Sequence, residues 1–224
     1  MESKIIIMLT NNDKTVTNAL EVFEDCKHLP IDFWGFKNVG IPTDEMRELH
    51  ATMKDAGKKT FLEVVTYTEE SCMAGAKLAV DFGFDYLMGT ILFPSVWEYL
   101  KDQPISYYPF VGGVSGSPSI LEGSTQSMLA ETEKFKKMGI PGVDILAYRF
   151  VDGDPEVLAK DFVAGTDMNV VVAGSISSPE RIAIVNGINP WAFTMGTALF
   201  GKKFVADGSF LENVEKVLEV MDAL

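Results

Sequence analysis

The chain has 224 residues, 47% of them apolar and 23% charged, a balance that fits one globular domain with a sizeable core and excludes a disordered, collagen-like or coiled-coil chain. Nineteen Lys and Arg face 32 Asp and Glu, for a net charge of −13. Such a surface repels phosphate backbones and argues against nucleic-acid binding, though not against a small anion held by local backbone N–H groups.

From the N-terminus, short β-branched runs alternate with longer amphipathic stretches. Strands are expected at residues 4–9, 31–37, 60–66, 85–89, 107–111, 143–147, 169–173 and 192–195. Helices are expected at 15–27, 44–56, 69–82, 125–138, 156–164, 180–186 and 210–221, with a weaker one at 93–100. Asp13 is placed as a cap for the first helix. Asp154 before Pro155, the Ser177-Ser178-Pro179-Glu180 run and Ser209 with Glu212 read as helix starts. Gly57, Gly83, Gly139 and Gly187 read as stops. Eight β-α units imply parallel strands with right-handed crossovers and a closed (β/α)₈ TIM barrel spanning residues 1–224 as a single domain. An open doubly wound sheet would carry a Gly-rich turn after strand 1, where this chain has Thr10-Asn11-Asn12-Asp13.

Met88-Gly89-Thr90-Ile91-Leu92-Phe93 returns as Met195-Gly196-Thr197-Ala198-Leu199-Phe200, close to half a chain later. The echo points to a half-barrel internal repeat.

The sharpest chemical signal lies after strands 7 and 8. Gly174-Ser175 and Gly196-Thr197 leave room for backbone approach and offer N–H groups and hydroxyls to a phosphate. The alternative is that both glycines only make tight turns. Gly89-Thr90 is a candidate second half-site, weakened because Tyr67-Thr68 stands where Gly174-Ser175 stands in the other half. Lys37 at the end of strand 2, Glu63 inside an apolar strand 3 and Arg149 after strand 6 are the candidate catalytic residues. Lys37 is expected as a general acid, or as a Schiff-base amine if dryness lowers its pKa. Glu63 is expected as a general base, and a structural ion pair between the two is the competing reading. Asp144 and Asp85 are placed at strand starts, the end of a barrel strand that serves stability. The Gly-rich loop at 112–119 reads as a lid, an anion nest or a connector, with Ser115 and Ser117 as candidate substrate contacts and Asn11 as another. Trp34, Trp97 and Trp191 are expected between barrel and helices.

Ala173-Gly174-Ser175-Ile176 followed by Met195-Gly196-Thr197-Ala198 resembles the ribulose-phosphate-binding barrels, a group of small (β/α)₈ isomerases, aldolases and synthases. The resemblance implies a small phosphorylated metabolite and picks no reaction. The chain also resembles small bacterial barrels of unassigned chemistry, some labelled 4-hydroxythreonine-4-phosphate dehydrogenase. Enzymes with that activity resemble a larger, histidine-rich metal fold, whereas this chain has two histidines, His28 and His50. The DxKxxD pattern of the orotidine decarboxylases is missing, as are zinc, GxSxG and phosphate-loop motifs. The expectation is therefore an isomerase, epimerase or aldolase/lyase that needs no metal or cofactor of its own, with Mg²⁺ brought in by the substrate as the one exception. A sugar-phosphate-sensing regulatory barrel is the alternative. Cys26 and Cys72 without a pairing framework, and an N-terminal apolar run of six residues, point to a cytoplasmic protein without a signal peptide or membrane segment. Apolar helix faces leave a homodimer open.

Overall fold

The computed structural model describes residues 3–224. Eight parallel strands form the sheet: β1 Lys4–Met8, β2 Phe33–Lys37, β3 Lys59–Val64, β4 Tyr86–Gly89, β5 Ser106–Tyr108, β6 Gly142–Ile145, β7 Asn169–Val172 and β8 Ala192–Met195. Their order is β6-β7-β8-β1-β2-β3-β4-β5, every neighbour parallel. Pro109 has no N–H to give, so regular pairing of β5 stops at Tyr108. The chain still reaches β6: Asp144 N donates to Pro109 O at 2.9 Å and Val111 N donates to Asp144 O at 3.2 Å. Those bonds close the barrel.

The outer ring is α1 Ala19–Cys26, α2 Thr43–Asp55, α3 Glu69–Phe82, α4 Pro94–Leu100, α5 Thr125–Met138, α6 Pro155–Ala164, α7 Pro179–Ile188, a four-residue α8 Thr197–Phe200 and α9 Phe210–Asp222. Asp154 and Ser178 cap α6 and α7 by accepting backbone N–H groups, and Ser209 with Glu212 makes a capping box on α9. Gly83 and Gly139 end α3 and α5 in the left-handed conformation. Gly187 does not stop α7, which runs on to a left-handed Asn189. No helix among the described residues is long and apolar enough to cross a membrane.

Strand alternation fills the barrel with Ile6, Met8, Phe33, Phe61, Met88, Tyr108, Val171 and Ala192. Each large one contributes roughly 1.5–3 kcal/mol by leaving water. Trp34 of β2 packs edge-on against Phe23 of α1, and Trp97 of α4 donates to Met138 O, both on the helix side of the barrel. Trp191 differs from expectation. It plugs the N-terminal end of the barrel against Phe33, Phe61, Tyr86 and Tyr108, because residue 191 precedes β8 and is free of the strand's alternation. The floor is closed, and a cavity opens at the other end.

Two antiparallel hairpins decorate that open end. Thr10–Asn11 pairs with Lys14–Thr15, and Gly113–Ser115 pairs with Ile120–Glu122. The first replaces the start of the expected first helix, which begins at Ala19 with Asn18 as its cap residue. Asn12 and Asp13 both have positive φ, 48° and 62°, as the two central residues of a tight hairpin turn require. Asp13 is therefore a turn residue and caps nothing. The echoed segments also diverge. Gly89 and Thr90 sit at positive φ, whereas Gly196 has φ −145° and Thr197 opens α8.

Candidate active site

A cavity of ≈ 850 Å³ opens at the C-terminal ends of the strands. It is lined on one side by Lys37, Glu63 and Arg149, with Asn11 from the first hairpin. Gly174, Ser175, Gly196 and Thr197 line the other.

The register sets Lys37 directly beside Glu63 on β2 and β3. Both are nearly buried, and Lys37 Nζ lies 3.4 Å from Glu63 Oε1. A closer partner is Asp13, whose Oδ1 is 2.9 Å from Lys37 Nζ. Thr15 fixes this geometry: its hydroxyl donates to Lys37 O at 2.7 Å and accepts from Lys37 N at 3.0 Å, locking the hairpin to the end of β2. Arg149, on the turn Ala147–Arg149 after β6, donates from Nη2 to Asp13 Oδ1 at 3.0 Å and from Nη1 to Asp13 Oδ2 at 3.4 Å.

Burial disfavours the charge on Lys37, but Glu63 and Asp13 outweigh it, and the pKa is raised against opposition from Arg149. The condition for a resting Schiff-base amine, a lowered pKa, is not met. Lys37 is an ammonium. Burial also pushes Asp13 up, but hydrogen bonds and charge from Arg149 and Lys37 prevail and lower its pKa to about 2.

Asp144 corrects the sequence reading. Because β6 begins at Gly142, Asp144 is its third residue and points into the barrel. It is fully buried, and neither carboxylate oxygen has a hydrogen-bond partner. Burial raises its pKa well above the usual value, with Glu63 adding and Lys37, the Gly89 backbone and Arg149 opposing. Burial thus favours the uncharged form of this carboxyl inside the barrel. Asp85, by contrast, does sit at the N-terminal end, where it binds Lys54, Lys59 and Thr60 N. His50 is also at that end, against Thr60 and Phe84.

On the opposite wall Gly174 has φ 88° and Ser175 φ 49°. Arg181 donates to Ser175 O and lays its guanidinium over the Tyr148 ring at 4.4 Å. The Tyr148 hydroxyl is buried in the cavity wall without a partner. No hydrogen bond among the described residues uses the backbone N–H of Ser175, Gly196 or Thr197. Lys203 lines the cavity beside them and, unlike Lys37 and Arg149, has no carboxylate partner among the described residues.

The other candidates fall elsewhere. Ser115 and Ser117 are exposed on the second hairpin and do not line the cavity; Ser119 does. The hairpin turns them outward while Tyr67 OH contacts Gly116 O and Ser119 Oγ at 2.9 and 2.7 Å. Gly89-Thr90 forms no half-site. The Thr90 N–H donates to Val64 O and its hydroxyl pairs with Tyr107 OH, so both are consumed by the fold.

Asp13, Asp144, Tyr148 and Lys203 were not singled out as site residues by sequence. For Asp144 a signal existed: Val143-Asp144-Ile145 has the same polar-inside-apolar form as Leu62-Glu63-Val64.

No protein-family model matches the sequence, and no curated protein does. Solved structures match over nearly the whole chain at low identity. Orotidine 5'-phosphate decarboxylase from Pyrococcus horikoshii OT3 superposes with a TM-score of 0.73 at 11% identity, covering 98% of this chain and 100% of that one. N-acetylmannosamine-6-phosphate 2-epimerase from Clostridium perfringens gives 0.65 at 10%, over 100% and 94%. A glycerol uptake operon antiterminator-related protein from Thermotoga maritima MSB8 gives 0.55 at 17%, over 90% and 99%. At these identities the likeness establishes the (β/α)₈ fold.

Proposed function

We propose that the protein is an enzyme of the proton-transfer type, an isomerase or epimerase, acting on a small phosphorylated metabolite. The observation that carries the reading is one cavity with two unlike walls. One wall is a buried Lys–Glu pair tied to Asp13; the other is a run of backbone N–H groups without acceptors, beside an unpaired lysine. Phosphate would rest on the N–H groups at Ser175, Gly196 and Thr197, with Lys203 neutralising part of its charge. Two of the similar folds bear names with a phosphorylated substrate, which agrees with this assignment.

In this reading Glu63 removes a proton from carbon next to a carbonyl, and the Lys37 ammonium stabilises the oxyanion that forms. Returning the proton to another atom or face completes an isomerisation or epimerisation. A raised Lys37 pKa makes amine attack on a carbonyl the weaker alternative, so Schiff-base aldolase chemistry ranks below proton transfer.

Thermal unfolding against a panel of phosphorylated metabolites, with inorganic phosphate as control and with and without Mg²⁺, tests the phosphate site. A ligand at 100 times its Kd adds about 2.7 kcal/mol, or roughly 5–10 °C for a chain of this size. A rise specific to one ester supports the reading, and turnover of that ester separates an enzyme from a sugar-phosphate sensor. No rise with any ester at millimolar concentration removes its main support.

A further inference from the structure

Lys37 and Arg149 converge on a single planar carboxylate that belongs to the protein. Asp13 Oδ1 takes a bond from each, at 2.9 and 3.0 Å, and Oδ2 faces the second Arg149 nitrogen at 3.4 Å. Both cations line the cavity, and Asp13 reaches them from the tip of a hairpin turn with a third of its side chain in solvent. We infer that this position is a carboxylate subsite, and that the substrate is a phosphorylated carboxylic acid whose carboxylate takes the place of the Asp13 side chain. The inference rests on the phosphate site proposed above.

Three observations carry it. The fork-like approach of Arg149 to two oxygens matches a planar carboxylate. Exchange leaves no buried charge alone: Lys37 keeps Glu63 at 3.4 Å, and Asp13 needs only a side-chain rotation to reach water, because Thr15 holds the hairpin backbone. A neutral group at this position would instead strand Arg149 without its carboxylate partner, at a cost. The distance is also set by the fold. A Cβ placed on Gly174 would lie 3.3 Å from Arg149 Cγ and Nε, so the Arg149 side chain runs from the phosphate wall to the Asp13 carboxylate.

Isothermal titration of the full chain with 3-phosphoglycerate, glycerol 3-phosphate, propanediol bisphosphate, succinate and inorganic phosphate tests the subsite. The expected result is a preference for 3-phosphoglycerate over glycerol 3-phosphate of roughly tenfold, the size of one charge-assisted hydrogen bond. Asp13→Asn widens that preference, and Arg149→Gln erases it, with 3-phosphoglycerate losing more affinity than glycerol 3-phosphate. Equal binding of the two esters in wild type and Asp13→Asn, both above inorganic phosphate, overturns the subsite and leaves the phosphate site standing. Tighter binding of the bisphosphate than of 3-phosphoglycerate overturns the carboxylate assignment. Succinate binding that strengthens in Asp13→Asn, with no ester above inorganic phosphate, supports the subsite and overturns the phosphate site. Absence of all binding overturns both. Should Asp13→Asn fail to fold, wild type and Arg149→Gln carry the same comparison.

Discussion

Lys37 is nearly buried and yet charged, and the balance that keeps it so is local. Burial alone lowers a lysine pKa; two carboxylates within 3.4 Å reverse the sign. Two outcomes follow for the proposed chemistry. Borohydride added with a keto-phosphate substrate leaves activity intact, because no imine forms; mass-spectrometric detection of a reduced adduct on Lys37 would reverse that assignment. Lys37→Met lowers kcat by roughly 10²–10⁴-fold, the range for an acid–base or electrostatic group, while the thermal shift given by the phosphate ester persists. Loss of both together means the two walls do not work separately. Lys37 and Glu63 were legible because a charged residue at the inward position of an apolar strand has few innocent explanations. Asp144 obeys the same logic. It was placed at the wrong end because the strand was started at Val143, one residue late, and a short strand leaves no margin for such a slip.

At the level of elements, the two glycines of the proposed phosphate wall serve different masters. A Cβ on Gly196 would sit 2.8–2.9 Å from Thr10 Oγ1, Thr10 O and Met8 O. Backbone atoms cannot yield there, so Gly196 is required by the packing of β8 against the end of β1 whether or not an anion binds. A Cβ on Gly174 would meet only the flexible Arg149 side chain, at 3.3 Å, and its main penalty is φ 88°. Gly196→Ala is thus expected to cost about 1–3 kcal/mol of stability. Gly174→Ala costs about 1–2 kcal/mol through its dihedral and, by moving Arg149, weakens ligand binding more than its stability loss accounts for. Chemical denaturation paired with ligand titration separates the two; similar behaviour of both variants would contradict this division. Periodicity revealed the eight strands and the main helices because each buries one face. It did not reveal the hairpin at Thr10–Asn11 and Lys14–Thr15. Two-residue strands carry no period, and the Asn12-Asp13 turn lacks the glycine that usually marks such a turn. Missing the hairpin meant missing Asp13 as a site residue.

Over the whole barrel, its closed end and its interior respond to pH in opposite senses. At the closed end Asp85, with its side chain 16% exposed, is pushed up by burial, but Thr60 N, Lys54 and Lys59 prevail and bring its pKa from 3.8 to about 2. A depressed carboxylate stabilises the fold above its unfolded pKa, and this contribution is lost as pH falls through about 2. The difference amounts to about 2 kcal/mol. Asp85→Asn is therefore less stable than wild type at neutral pH by about that amount, and its deficit shrinks between pH 4 and pH 2. Inside the barrel Asp144 has a raised pKa, so the folded chain keeps a proton that the unfolded chain releases above pH about 4. Each rise in pH beyond that point favours unfolding of wild type and leaves Asp144→Asn untouched. Whatever the offset between the two at pH 4, it moves in favour of the Asn variant as pH rises. Urea melts of the three proteins from pH 2 to pH 8 read both effects. Parallel curves for wild type and Asp144→Asn would show that Asp144 is ionised in the folded barrel and would reverse the expected shift of its pKa. A deficit in Asp85→Asn that is full at neutral pH and lost between pH 4 and pH 2, together with a relative gain in Asp144→Asn that grows above pH about 4, would place the structural charge network at the barrel floor and the protonated acid in its interior.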